Sequence, residues 1–228
     1  AEQLIGYFEQ GITKYVVNKD IPDGLNQIYQ DLAYRLAFIA KEMLGGGAIN
    51  TISCSYYGAL KPFAKWFIAP ICAGLSRDFN PHQTPEEATA MLKDNGTLLE
   101  IRDADENKRY GNAMTIDMDA GARRVSLRGT IAEGTMVISR INDFNRIYVL
   151  PKGNLLMVEY TDRPGVLAAI TRLLGEAAIN IEDIHAPHDV SGRNSLCIVY
   201  TDKPVASAMV DAIRKEVDAR LAVAFTMA

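Results

Sequence analysis

The densest chemistry in the chain lies in residues 160 to 167, Tyr-Thr-Asp-Arg-Pro-Gly-Val-Leu, with Asn180 a short helix further on. A zwitterion needs donors for its carboxylate, an acceptor for its ammonium and a polar group to select its side chain. The backbone N–H groups of Gly165, Val166 and Leu167 fall where a helix starts. Helix-start amides lack intrahelical partners and sit at the positive end of the helix dipole, so they suit a carboxylate. Gly165 lets a ligand approach the backbone. Asp162 can accept from an ammonium, and Asn180 offers both donor and acceptor to a hydroxyl-bearing ligand. Tyr160 precedes Asp162 by two residues, which places both on one strand face. The same residues also fit a plainer arrangement, in which Asp162 caps the helix, Asn180 makes a turn and Arg163 forms a salt bridge or meets solvent.

A second candidate is basic: Arg123, Arg124, Arg128, Arg140, Arg146 and Lys152. Arginines on paired strands can converge on a phosphate or carboxylate; Arg140 and Arg146, flanking one hairpin, are the pair expected to bind an anion. A solvated sheet face explains the set equally well. His185 and His188, with Asp183 and Asp189 nearby, suggest a metal, but strand ligands alternate and no third strong ligand is evident, so a surface or interface role is expected. Trp66, Phe63 and Phe67 read as core or domain interface. No catalytic constellation accompanies these residues. Gly45-Gly46-Gly47 follows a helix and precedes a strand, the reverse of a dinucleotide-binding turn. No Ser/His/Asp or Cys/His arrangement has its expected context, and His82 sits in a Pro-rich loop.

The elements that must position these groups follow from periodicity. Leu25, Ile28, Tyr29, Leu32, Leu36, Ile39 and Met43 define a helix to Leu44, ended by the glycine triplet. Ala48–Tyr57 reads as a strand with Ile52, Cys54 and Tyr56 on one side. A helical region over Leu60–Asp78 contains Pro62 and Pro70, the latter expected to kink it. Thr84-Pro85-Glu86-Glu87 is a capping box opening a third helix, closed at Asn95-Gly96. From Thr97 the period becomes two, predicting strands at Thr97–Arg102, Tyr110–Met118, Arg123–Gly129, Thr135–Ile141 and Arg146–Leu150, with turns at Asp119-Ala120-Gly121 and Asp143-Phe144-Asn145. Helices followed by antiparallel strands predict an α+β fold with a mixed or antiparallel sheet.

Pro151-Lys152-Gly153 marks a boundary. Beyond it a strand–helix–strand–strand–helix–strand order is predicted, ferredoxin-like: Asn154–Thr161, Pro164–Ala177, Asn180–Ala186, Ser195–Thr201, Pro204–Val217 and Arg220–Thr226. Each helix should have Pro in its first turn. Leu167, Ile170 and Leu174 on one helix, with Val205, Met209, Ile213 and Val217 on the other, should cover one sheet face. The first domain or a second copy should cover the other. The expected division is 1–24 as a helix and linker, 25–152 as an intervening domain and 153–228 as a compact terminal domain.

Bulk properties exclude some classes. A formal charge of −4 argues against nucleic acid, and no apolar run reaches the roughly 18 residues of a membrane helix. Cys54, Cys72 and Cys197 are dispersed and odd in number, which predicts buried thiols in a reducing, cytoplasmic setting. The chain opens at Ala1 inside an apparent amphipathic helix, so it is expected to continue a longer protein.

The run from Leu156 to Leu167, then Leu173-Leu174-Gly175 and Ile179-Asn180-Ile181, resembles the ACT domain, an amino-acid-sensing module. Ala1-Glu2-Gln3 and Val17-Asn18 resemble the junction after the catalytic domains of long D-3-phosphoglycerate dehydrogenases. Residues 25 to 151, with Arg128-Gly129-Thr130 and Asn142-Asp143, resemble their intervening allosteric substrate-binding domain. Met136-Val137 departs from that pattern and puts its anion site in doubt. The resemblance implies an effector, L-serine or a similar small amino acid, held between two ACT domains by Tyr160, Asp162, Gly165, Val166, Leu167 and Asn180. It implies a homo-oligomer, with no cofactor in this chain and NAD in the catalytic part upstream. The equivalent portion of an L-serine dehydratase, and a purely oligomerising module without effector, are the alternatives.

Overall fold

The computed structural model describes residues 22–76, 79, 83–104 and 110–227; the junction segment Ala1–Asn18 and His82 lie outside them. The fold is α+β. Its elements are α1 (Ile28–Leu44), β1 (Thr51–Tyr56), a 3₁₀ segment (Gly58–Phe67), α2 (Ile68–Leu75), α3 (Pro85–Asp94), β2 (Leu98–Arg102), β3 (Ala113–Asp119), β4 (Arg124–Ala132), β5 (Thr135–Ile141), β6 (Phe144–Val149), β7 (Gly153–Thr161), α4 (Val166–Glu176), β8 (Ile181–His185), β9 (Asn194–Thr201), α5 (Ser207–Glu216) and β10 (Leu221–Met227). No helix among the described residues is long and apolar enough to cross a membrane.

Strands β1 to β6 form one sheet in the order β2-β1-β3-β4-β5-β6. The sheet is mixed, as the α+β reading allows. β2 lies parallel to β1, because the helices between them form a crossover returning the chain to the same end of the sheet. Ile52, Cys54 and Tyr56 of β1 face inward and are buried, as alternation requires. The inward face packs on α1, whose Leu32, Leu36, Ile39 and Met43 are buried, and Gly45 ends α1 in the left-handed conformation, φ 74°.

The break expected at Pro70 falls earlier. The 3₁₀ segment passes into α2 at Ile68, so Pro70 sits in the first turn of α2, where its missing N–H costs nothing. The Trp66 carbonyl, four residues back, accepts instead from the Gln30 side chain at 3.2 Å. The capping box at Thr84 forms as written: Glu87 N donates to Thr84 Oγ1, and Thr84 N donates to the Glu87 carboxylate. The turn after β5 is Asn142-Asp143, one residue earlier than predicted, because Asn142 takes the positive φ (47°).

Strands β7 to β10 form the second sheet, ordered β10-β7-β9-β8. Leu156, Val158 and Tyr160 point to one face, where Val166, Ile170, Leu174, Val210, Ile213 and Val217 cover them. Two details differ from the sequence reading. Both prolines precede their helices, since Gly165 at φ 90° occupies the N-cap of α4 and Ala206 that of α5. The later start makes Val166 the buried first-turn residue and leaves Leu167 39% exposed.

The opposite face of this sheet is covered by the first domain. Leu155, Met157, Leu196, Ile198, Phe225 and Met227 join the same apolar core as α1. Phe225 meets Phe38 edge-on, with ring centroids 5.8 Å apart. Polar bonds reinforce the seam: Arg35 Nη1 donates to the Pro151 carbonyl at 2.7 Å, and Tyr200 Oη donates to the Leu150 carbonyl at 2.6 Å. Both bonds grip the connection between the two sheets.

Candidate functional site

Asp162 leaves the end of β7 beside the start of α4. Its amide donates to the Arg193 carbonyl at 2.9 Å, so the backbone position is fixed by the β8–β9 loop. Its carboxylate does not cap α4: the N-cap is Gly165, and among the described residues no side chain bonds to the helix start. The first-turn amides thus remain available to an anion. Gly165 is required by its φ, and open space surrounds the place where a Cβ would stand. Arg163 reaches away, donating to the carbonyls of Val217 (2.8 Å) and Thr161 (3.2 Å), so it caps the carboxyl end of α5 and, among the described residues, makes no salt bridge.

Tyr160 stands differently from the sequence expectation. It is 1% exposed, in the core beneath α4. Burial pushes its hydroxyl pKa up, partly offset by a hydrogen bond with Ser195. Tyr160 thus supports the turn from below and does not face an incoming ligand. Its parity along the strand was legible; which face the helices cover was not.

Asn180 is exposed at the start of β8, and its backbone exchanges hydrogen bonds with Asp202, N to Oδ1 at 2.9 Å and O from N at 3.1 Å. Register places it far from Asp162. Thr161 pairs with Asn194 at one end of the sheet, while Asn154 and Ile181 both pair with Thr201 at the other. Seven strand residues at about 3.3 Å each separate the two ends by roughly 23 Å. Within one chain Asp162 and Asn180 do not share a site.

What the fold does bring to Asp162 is His188. Its Nδ1 lies 3.8 Å from Asp162 Oδ2 and 3.5 Å from Ser195 Oγ. The only sequence signal was an exposed histidine in a turn-rich loop. That loop is built around Asp189, which accepts from Ser191 N and Oγ, Arg193 N, and Asn194 N and Nδ2. Desolvation opposes its charge, but the bonds from Ser191, Asn194 and Arg193 outweigh it and hold the Asp189 pKa down at about 2. A depressed carboxylate stabilises the fold above its unfolded pKa, near 4, and loses that contribution as pH falls towards the folded value. The expected result is that the protection factors of the Arg193 and Asn194 amides hold down to about pH 4 and fall between there and about pH 2; an Asp189→Ala chain should show low protection throughout.

The basic set converges only in part: Arg128 and Arg140 are cross-strand partners on β4 and β5, and the others part. Arg123 donates to the Leu44 carbonyl, closing α1. Arg128 stacks on Tyr110, 3.8 Å from its centroid. Arg140 stands opposite Asn145, not Arg146, and donates to Ser126 Oγ at 2.7 Å. Arg146 is exposed at positive φ (58°) on the edge strand β6, so the expected Arg140–Arg146 clamp is not formed. The register slips between Ile138 and Arg140, and the extra β6 residues take Arg146 out of line. Around Arg140 the open sheet face instead forms a self-neutralised network. Arg102 bonds Asp117 (2.9 Å) and Ser53 (2.6 Å), Arg124 pairs with Asp119, and Ser126 donates to Asp117. These residues line a 390 Å³ recess. Asp119 is held below the usual carboxylate range by the Gly121 amide and by Arg124. Arg102, to which no pattern in the sequence pointed, is central to it.

His185 pairs with Asp183 at 3.0 Å, and among the described residues no three His, Cys, Asp or Glu side chains cluster as metal ligands. The three cysteines are buried thiols, each pushed up to about 12 chiefly by burial.

The second sheet and its two helices form an ACT domain, which residues 154–218 match. Over almost its full length the chain matches the C-terminal regulatory part of D-3-phosphoglycerate dehydrogenases. It is 24% identical to the D-3-phosphoglycerate dehydrogenase of Methanocaldococcus jannaschii across 94% of this chain and 42% of that protein. Identity to the enzyme so named in Archaeoglobus fulgidus is 24%, over 81% and 35%; to that of Mycobacterium tuberculosis it is 28%, over 58% and 25%. The chain therefore spans less than half the length of these relatives.

Proposed function

We propose that this chain is the regulatory part of an NAD-dependent D-3-phosphoglycerate dehydrogenase in which L-serine binds between the ACT domains of two subunits. The observation that carries this reading is the uncapped start of α4 beside the exposed Asp162. The amides donate to the effector's carboxylate and Asp162 accepts from its ammonium, while Asn180 of a second copy reaches the hydroxyl. Register supports the need for two copies, since one chain holds its Asp162 and Asn180 at opposite ends of the sheet. The strand β8 is a sheet edge, with Ile184 39% exposed, and suits pairing with a second copy. Binding would bias the catalytic part only through unequal affinity for two states of the whole enzyme, typically about 1–3 kcal/mol.

Calorimetry on a sample shown to be dimeric tests this. L-Serine should give saturable heat, with glycine and D-serine weaker. Asp162→Ala, which removes a charge-assisted bond of about 1.5–3 kcal/mol, should weaken binding roughly tenfold to a hundredfold with the circular dichroism unchanged. No heat at millimolar L-serine from the dimer would leave the module as an assembly device without effector.

A further inference from the structure

We propose that His188 belongs to the effector site and, when protonated, competes with the effector's ammonium for the Asp162 carboxylate, so that effector binding weakens as pH falls. The inference rests on the effector reading above and adds a residue and a form of regulation to it. The geometry is specific. The ammonium is to be held by the Asp162 carboxylate, and His188 Nδ1 lies 3.8 Å from Oδ2 of that same carboxylate. The histidine is not a loose surface residue. His188 forms a β-bridge to Ser195, its neighbour Pro187 accepts from Leu196 N at 3.0 Å and from Ser195 Oγ at 3.3 Å, and the Asp189-centred turn closes the other side. Backbone on both sides thus fixes the position from which the imidazole approaches the carboxylate.

The charged and titratable neighbours leave Asp162 as its counter-charge. Asp189 turns its carboxylate into its own loop, towards Ser191 and Asn194. Arg193, in the same turn, contributes its backbone carbonyl to Asp162 N. Tyr160 lies beneath, its hydroxyl occupied by Ser195. Ser195 is neutral. A protonated imidazole at this position is a cation built into the protein where the ligand's cation must go. Both side chains are about half exposed, 56% and 42%, which keeps the effect moderate.

The test is calorimetric titration of the full chain with L-serine at pH 8 and pH 5.5, at constant ionic strength, for the native chain and His188→Asn. For the native chain the dissociation constant should rise about two- to fivefold at the lower pH, the range of an exposed ion pair. For His188→Asn the ratio between the two pH values should approach one, whatever its absolute affinity. In buffers of different ionisation enthalpy at pH 6, binding should release a fraction of a proton from the native chain and none from the variant. The same pH ratio in both chains, or tighter binding at acid pH, overturns the proposal while leaving serine binding intact. Absence of binding by the native chain at pH 8 overturns the effector reading, and this inference with it.

Discussion

A Gly74→Ala chain should be less stable than the native one by about 2 kcal/mol, within the range for overfilled cores. Gly74 lies in α2 where that helix crosses α1. A Cβ there would stand 2.5 Å from the Tyr34 carbonyl oxygen, 2.9 Å from the Phe38 nitrogen and 2.9 Å from the Ala37 Cβ. Two of these are backbone atoms inside another helix and cannot rotate aside, so the helices must separate. Alanine's better helix propensity offsets only about 0.5–1 kcal/mol of this. Gly175, near the end of α4, supplies the control: nothing lies within 4 Å of its Cβ position, so Gly175→Ala should stabilise by roughly that propensity term. Urea denaturation reads both; equal midpoints for the two variants would refute the close-packing account.

The second large effect concerns the seam between the sheets. Phe225 is 8% exposed and packs edge-on against Phe38 of α1. Truncation of a buried Phe costs about 3–5 kcal/mol, and here the loss falls on the apolar seam that Phe225 shares with Leu155, Met157, Leu196, Ile198 and Met227 against α1. The native chain should unfold in one transition. Phe225→Ala should unfold in two, the ACT domain parting from α1 before either core melts. Trp66, the only tryptophan, sits in the first domain and reports that half, while circular dichroism reports both. Coincident fluorescence and dichroism curves in the variant would show that the seam contributes little.

Local signals in the sequence carried most of the architecture. The glycine triplet after Leu44, the capping box at Thr84 and the alternation along β7 each act within a few residues, and each element stands where those signals put it, give or take an end. What required the third dimension was partnership. The sequence lists six basic residues but not the acids beside them. Asp117 and Asp119 neutralise Arg102 and Arg124, and the register slip in β5–β6 parts Arg140 from Arg146. Tyr160 followed its predicted parity yet is buried, because that face belongs to α4 and α5. His188 was visible only as a surface histidine, since its approach to Asp162 depends on β9 passing between β7 and β8. Leu167 and Val166 exchanged roles for one local reason, the left-handed Gly165 delaying the helix.

Under the proposed two-copy effector site, the separation of Asp162 from Asn180 along one sheet bears on how a cell could tune the response. A solitary chain owns two half-grips and no whole one. Crowding subunits together would then sharpen the response and dilution would blunt it, so abundance of the protein becomes a dial on sensitivity alongside the metabolite itself.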